Sequence, residues 1–188
     1  MSNEDYLILV NEDDKPWGKL EKLLVHQLGL LHRAFSVFIF NSNGELLLQQ
    51  RDDDKYHSGG LWTNTCCSHP RFGEELNEAV ERRLMEEMGI KCETNFQFSF
   101  IYKAEFENGL KEYEYDHVFF GISDGVPVPN KSEVKKWKYV DLNLLAKDLI
   151  INPDEYTAWL KICFDKILFH YQEFAEKNKI KINSHVSI

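Results

Sequence analysis

The order of secondary-structure signals along the chain predicts an α/β or α+β sandwich built as one domain. Three observations carry this reading. Extended-chain alternation dominates the first third. A strong helical period then appears at residues 73–89, and after further strand signals the chain closes in a long amphipathic helix. At 188 residues the chain has the length of a single domain and can bury a core. The expected core is about 20–177, with a basic and polar tail at 178–188 read as flexible.

Strand signals lie at 6–10, 34–40 and 45–51. The last two are joined by Asn41-Ser42-Asn43-Gly44, a turn sequence that predicts a hairpin. A further strand is expected over 61–67. It runs into TNTCCSHP (63–70), where two cysteines stand just before a histidine. Two-residue alternation puts Leu61, Thr63, Thr65, Cys67 and His69 on one face, and Trp62, Asn64, Cys66 and Ser68 on the other. Cys67 and His69 therefore look into one space while Cys66 looks away.

The period then changes. Leu76, Ala79, Val80, Leu84 and Met88 recur at helical spacing. Glu74 and Glu75 sit at the end where the helix dipole favours them, and Gly89 supplies the stop. A long hairpin follows, 96–106 and 111–122, turning at Glu107-Asn108-Gly109. Residues 141–149 read as helical, and 153–177 as an amphipathic helix with Asp154 and Glu155 in its first turn.

Composition narrows the function classes. Hydrophobic residues make up 43% and aromatics 13%, as in a folded protein rather than a disordered one. No apolar run approaches the roughly 20 residues of a membrane span. The N-terminus, MSNEDYLILVNEDDK, is acidic and too briefly apolar for a signal peptide, so a cytoplasmic protein is expected. The 31 acidic residues outweigh the 22 basic ones for a net charge of −9, which disfavours a nucleic-acid surface. An anionic small substrate remains compatible, because a few local cations can reverse the field inside a cleft. The four cysteines form no disulfide framework: Cys66 and Cys67 are neighbours, and Cys92 and Cys163 lie in apolar surroundings. No second Cys pair stands at zinc-finger spacing. Monomer and homodimer are both compatible with the sequence.

Counting back from Gly89, the pair Glu86-Glu87, then Arg82, then Glu74 match most of the Nudix signature G-x5-E-x7-R-E-U-x-E-E-x-G. Carboxylates one turn apart on a helix can hold a divalent cation, which in turn grips a diphosphate. Two positions depart from the signature: Ser68 stands at its first Gly, and Arg83 replaces the Glu after Arg82.

Four segments in order, LEKLLVHQLGLLHRAFSVFIFN, QQRDDDKYHSGGLWTNTCCSHP, ERRLMEEMG and EYEYDH, make the chain resemble the type I isopentenyl-diphosphate isomerases from about Leu20 to Trp159. That family is a non-hydrolysing branch of the Nudix fold. The resemblance implies a Nudix-type mixed β-sheet sandwich flanked by helices, with a C-terminal helical addition. It also implies interconversion of isopentenyl and dimethylallyl diphosphate, an isoprenoid diphosphate substrate, by protonation and deprotonation through a tertiary carbocation.

The resemblance implies site residues as well. His26, His32, His69, Glu112 and Glu114 would hold a metal, and such a mixed N/O set suits Zn2+ or Mn2+. Glu112 and Glu114 share one strand face by alternation. Cys67 and Glu114 correspond to the catalytic pair, Trp159 to the ring that faces the cation, and Tyr102 to the hydrogen-bond partner of the carboxylate. Moving a double bond needs one proton added and another removed, so an acid and a base must flank the carbon skeleton. A free thiol, with pKa about 8.5, is close enough to neutrality to exchange a proton if nearby charge adjusts it. For the diphosphate the expected residues are Lys22, Arg51, Lys55, Ser68 and Arg83. Glu87 and the Cys67 carbonyl are expected at a bridging Mg2+. A lone histidine is more often an ordinary hydrogen-bonded residue, and that reading is kept for His57, His117, His170 and His185. The rival readings are a Nudix pyrophosphohydrolase of a nucleoside diphosphate derivative, against which Arg83 argues, and a catalytically silent binding module, against which Cys67 and Glu114 argue.

Overall fold

The structure, a computed structural model, describes residues 6–55 and 57–180. Residues 181–188, with most of the expected tail and His185, lie outside the described residues. In chain order the elements are β1 (Tyr6–Val10), β2 (Pro16–Glu21), α1 (Lys22–Leu28), β3 (His32–Phe40), β4 (Leu46–Arg51), β5 (Trp62–Thr63) and β6 (Cys66–Ser68). They continue with α2 (Leu76–Met88), β7 (Thr94–Glu105), β8 (Lys111–Ile122), β9 (Val134–Val140), α3 (Leu142–Ile151), a 3-10 turn (Pro153–Glu155) and α4 (Ala158–Asn178).

Strand β3 organises the sheet. One edge pairs in parallel with β8 from His32↔Glu114 to Phe40↔Ile122. Its other edge is shared by β1 at His32, by β6 over residues 35–37, and by β4 only at Phe40. The expected hairpin of 34–40 with 45–51 is therefore closed only at its mouth, and the long partner of β4 is β9. The expected strand over 61–67 is broken for a related reason. Asn64 and Thr65 bend out of the ladder and replace its backbone bonds with side-chain ones. Thr65 Oγ1 accepts from Ile39 N and donates to Leu47 O, while Asn64 Nδ2 donates to Val37 O and Cys66 O. Buried backbone groups must be paired somewhere, and here the side chains pair them.

Alternation sorts the sheet into two faces. Phe38, Phe40, Leu46, Leu48, Val118 and Phe120 pack under α3 and α4. Phe35, Val37, Ile39, Leu47, Cys66 and Phe119 pack under α2. The predicted sandwich is thus three layers, with helices on both faces of a mixed sheet. Strand β1 buries Leu7 and Leu9 against Val25 of α1, so the folded unit begins before residue 20. At the other end Ile180 is buried against the α4 layer, so the chain is packed through that residue. The helix expected over 153–177 is interrupted at 156–157. Asp154 and Glu155 belong to the 3-10 turn rather than to the first turn of α4. No helix among the described residues is long and apolar enough to cross a membrane.

Gly89 ends α2 with φ +64°, its N–H bonded to Met85 O. A β-carbon built there would lie 2.7 Å from the Val128 carbonyl oxygen. The left-handed conformation alone costs an L-residue ~1–2 kcal/mol. Gly89→Ala should therefore lower unfolding free energy by at least that amount, read as a shifted midpoint in urea denaturation with an unchanged slope.

Candidate active site

The ends of α1, β3, β6 and β8 converge on one pocket capped by the first turn of α4. Helix α1 is short, but it is well terminated. The Glu21 carboxylate accepts from Leu23 N and Leu24 N, and Gly29 closes the helix at φ +64°. It presents Lys22 and His26, one turn apart, on the same side. Strand β3 contributes His32 at its first position, β6 leads from Cys67 to His69, and β8 supplies Glu112 and Glu114.

These residues meet as a compact cluster. The ligating atoms of His26, His32, His69 and Glu112 all lie within 4.8 Å of one another. His26 Nε2 is 3.2 Å and His32 Nε2 3.7 Å from Glu112 Oε2. His69 Nε2 lies 3.0 Å from Glu114 Oε1 and 3.2 Å from His32 Nε2. The far nitrogens are tied to carbonyls: His26 Nδ1 to Lys22 O at 2.6 Å, and His32 Nδ1 to Leu30 O at 2.8 Å. A carbonyl can only accept, so Nδ1 carries the proton and each Nε2 lone pair faces the cluster. Glu112 Oε2, buried among these rings, has no hydrogen-bond partner. An orphaned buried carboxylate oxygen facing imidazole lone pairs fits a divalent cation. Glu114 stands beside this four-residue group and touches it through His69 and His32.

Burial and hydrogen bonding set the charge states. Burial opposes charge on Glu112, but the His26 and His57 imidazoles beside it hold it well below the usual carboxylate range. In Glu114 burial and the neighbouring Glu112 push up, and the contacts with His32 and His69 bring the carboxyl down below its ordinary value. Burial lowers His69 to about 4, so its imidazole is neutral and available as a ligand. Tyr102, directly opposite Glu114 across β7 and β8, donates its hydroxyl to Glu114 Oε2 at 2.7 Å. Burial keeps that phenol protonated.

Cys67 and Cys66 separate as alternation predicts: Cys67 lines the pocket and Cys66 packs under α2. The thiol of Cys67 is not near neutrality, however. Burial pushes it up to about 12 against the opposing pull of Arg51, whose Nη1 lies 3.9 Å from the sulfur. Trp159, the second residue of α4, is 3% exposed and donates its indole N–H to Asn64 Oδ1 at 3.1 Å. The Arg51 guanidinium lies over its ring at 5.3 Å.

The mouth of the pocket is cationic. Lys22, Arg51, Lys55, Ser68 and Arg83 all line it. Burial lowers the pKa of Lys22. The Nε atoms of Arg51 and Arg83 are buried with no hydrogen-bond partner. Arg83 Nη2 is 2.5 Å from Glu87 Oε1, and Gln49 fixes the other Glu87 oxygen at 2.8 Å.

Residues 30–160 match the NUDIX domain family. Isopentenyl-diphosphate Delta-isomerase 2 of Aromatoleum aromaticum is 52% identical over 165 residues, covering 88% of this chain and 87% of that protein. The Isopentenyl-diphosphate Delta-isomerase of Pectobacterium atrosepticum is 47% identical, covering 89% and 94%. The chain belongs to the isopentenyl-diphosphate Delta-isomerase family of NUDIX proteins. Solved structures agree on the fold. A Deinococcus radiodurans protein superposes with a TM-score of 0.70 at 20% identity, covering 86% of this chain and 98% of that one. A MutT protein of Methanosarcina mazei does so at 0.58 and 20%, covering 79% and 96%.

Within this NUDIX frame the signature helix divides into two kinds of acid. Glu74 is structural: both its oxygens hold Arg82, at 2.6 and 2.8 Å, and one also accepts from Arg71 N. Glu86 is exposed and paired with Arg82 and Arg83, and only Glu87 reaches the pocket. Several residues at or beside the candidate site escaped the sequence reading. His57, read there as an ordinary histidine, is buried with Nε2 2.9 Å from Glu112 Oε1. Burial lowers its pKa despite that carboxylate. Asp116 continues the Glu112–Glu114 face, is pushed well up by burial, and accepts from Ser36 Oγ at 2.8 Å. The alternation in EYEYD already carried that signal. Glu133 is ion-paired to both Lys55 and Arg83 and lines the same pocket. No periodicity marks it. The remaining described histidines behave as expected: His117 pairs with Asp14 at 3.1 Å, and His170 stacks on Phe98.

Glu133 is an internal anion seated on two cations of the pocket mouth. Glu133→Gln should tighten binding of inorganic pyrophosphate with Mg2+ by about two- to fivefold, the scale of one partly exposed ion pair. Isothermal titration would measure it. Weaker binding would instead make Glu133 part of the anion grip.

Proposed function

We propose that this chain is an isomerase that interconverts isopentenyl diphosphate and dimethylallyl diphosphate, with Cys67 and Glu114 moving the two protons. The family assignment supports the reaction. The observation that carries the site reading is that one buried pocket is lined by Cys67, Glu114 and Trp159 and opens onto a cluster of cations.

The diphosphate binds at the mouth. Lys22, Lys55 and Ser68 line it, and the Arg51 and Arg83 guanidinium groups beside them offer donors to its oxygens. Glu87, once released from Arg83, and the Cys67 carbonyl would hold the Mg2+ that neutralises it. Binding draws Arg51 toward the diphosphate and frees the Trp159 face, on which the tertiary cation at C3 is stabilised by ~2 kcal/mol or more when desolvated. Asn64 keeps the indole in place through its N–H. Exclusion of water protects the cation from capture.

Proton accounting follows from the resting charges. Cys67 rests as a thiol and Glu114 as a carboxylate hydrogen-bonded by Tyr102. That pairing suits the direction that starts from dimethylallyl diphosphate: the thiol gives a proton to C2, and the carboxylate takes one from the C4 methyl group. The opposite direction needs the proton on Glu114 and the thiolate on Cys67. Each direction therefore leaves the pair ready for the other. His26, His32, His69, Glu112 and Glu114 would hold Zn2+ or Mn2+, and the ion would supply positive charge that tunes the acidity of the Glu114 carboxyl. Hydrolysis is disfavoured because Arg83 stands where the signature has a carboxylate, leaving Glu87 without that metal-binding neighbour.

Incubation with isopentenyl diphosphate and Mg2+ in heavy water tests the reaction: dimethylallyl product carrying deuterium is expected, without phosphate release. In the same assay Cys67→Ala should lose at least about 100-fold in turnover, and Cys66→Ala should keep most of it. Equal losses in two folded variants would remove Cys67 from the proton path. A second expectation concerns metals. The purified protein should carry about one tightly held Zn2+ or Mn2+ per chain and still need added Mg2+ to bind substrate. Elemental analysis of fully active protein that finds neither ion would refute this division.

A further inference from the structure

Arg51, a cation of the pocket mouth, ends β4, and the loop from β4 to β5 carries a second, Lys55, and then His57. His57 does not belong to the four residues whose donor atoms converge. Its Nε2 reaches Glu112 Oε1 at 2.9 Å, while the other carboxylate oxygen, Oε2, faces His26 and His32 and lacks a hydrogen bond. The two oxygens of one buried carboxylate are thus divided between His57 and the cluster.

The His57 ring has little freedom. It stacks on Phe106 with centroids 4.6 Å apart and an 11° interplanar angle, and it meets Trp159 edge-on at 6.0 Å. Its Nδ1 lies 3.3 Å from the Ser58 hydroxyl, which can donate to it and leave the proton on Nε2, facing Glu112. The His57 carbonyl accepts from Arg51 Nη2 at 3.3 Å, which ties the loop back to the pocket. The loop is closed tightly here, since a β-carbon on Gly59 would lie 2.5 Å from Asp53 O.

We propose that His57 is a positioning residue for the metal centre: by donating to Glu112 Oε1 it aims Oε2 at the ion held with His26, His32 and His69. Outer hydrogen bonds to a ligating carboxylate fix its rotamer before the ion arrives, and losing one typically costs about 10–100-fold in metal affinity. This rests on the metal-site reading above, and the test separates the two.

The readout is Co2+ binding to the full chain, followed by the visible spectrum of the bound ion and by competition with a chelator. His57→Phe keeps a ring against Phe106 and removes the donor. His57→Gln keeps a donor and removes the ring. His57→Leu removes both, and replaces the Phe variant if the larger ring does not fold. His57→Phe should weaken Co2+ binding about 10–100-fold and alter the spectrum, with His57→Gln restoring much of both. A residue that only packs would give the reverse ranking, with Phe close to the parent protein and Gln impaired; that result, or unchanged affinity in His57→Leu, overturns the proposal alone. A parent protein that takes up no Co2+ overturns the metal site itself, and the proposal with it.

Discussion

Strand β3 lies parallel to β8 over its full length, and this pairing sets the positions of the chemistry. Parallel register places His32 beside Glu114 and, four residues on, Ser36 beside Val118, with Asp116 reaching the Ser36 hydroxyl. On the opposite edge of the same strand, antiparallel β6 sets Cys67 against Ser36. Residues about 30 and 80 positions away in sequence thus meet through the backbone of one strand. Slipping β8 by one residue would turn Glu112, Glu114 and Asp116 onto the α2 face and dismantle the site.

That register crowds three buried carboxyls on one strand face, at 3%, 7% and 1% exposure for Glu112, Glu114 and Asp116. Buried like charges are costly unless paired, and the fold resolves the three differently. Asp116 is held protonated by burial, and Glu112 and Glu114 are held ionised by imidazoles whose own orientations are set by main-chain carbonyls. A divalent ion would complete the neutralisation, and the unsatisfied oxygen of Glu112 marks where charge is missing.

The signature helix shows how a shared frame takes a different chemistry. Glu74 and Arg82 clamp the loop before α2, a structural role that needs no metal. Arg83 converts the neighbouring position from anion to cation, and Glu133 from the turn before β9 neutralises it together with Lys55. Lys22 and Arg51 add further positive charge, so the mouth stays basic enough to receive a diphosphate while a chain with net charge −9 is strongly acidic overall.

The sequence alone determined whatever depends on local period and spacing. Alternation assigned Cys67 to the site and Cys66 to the core, and it put Glu112 and Glu114 on one face. Helical spacing located α2 and its stop at Gly89. Four motifs in order identified the family. Tertiary structure decided what depends on partners far apart in the chain. The turn at 41–44 suggested a hairpin, yet β3 found its long partner in β8, because non-local pairing buries both faces of that strand. The chemistry of a free thiol left the Cys67 pKa to its surroundings, and in the fold burial outweighs the pull of Arg51 and sets it high. His57 and Glu133 carry no periodic signal at all, since each reaches the site from a loop or turn. Their roles come from the carboxylate and cations that the closed fold places opposite them. Local sequence encodes which way a side chain points along its own element; only the packed sheet encodes what it meets there.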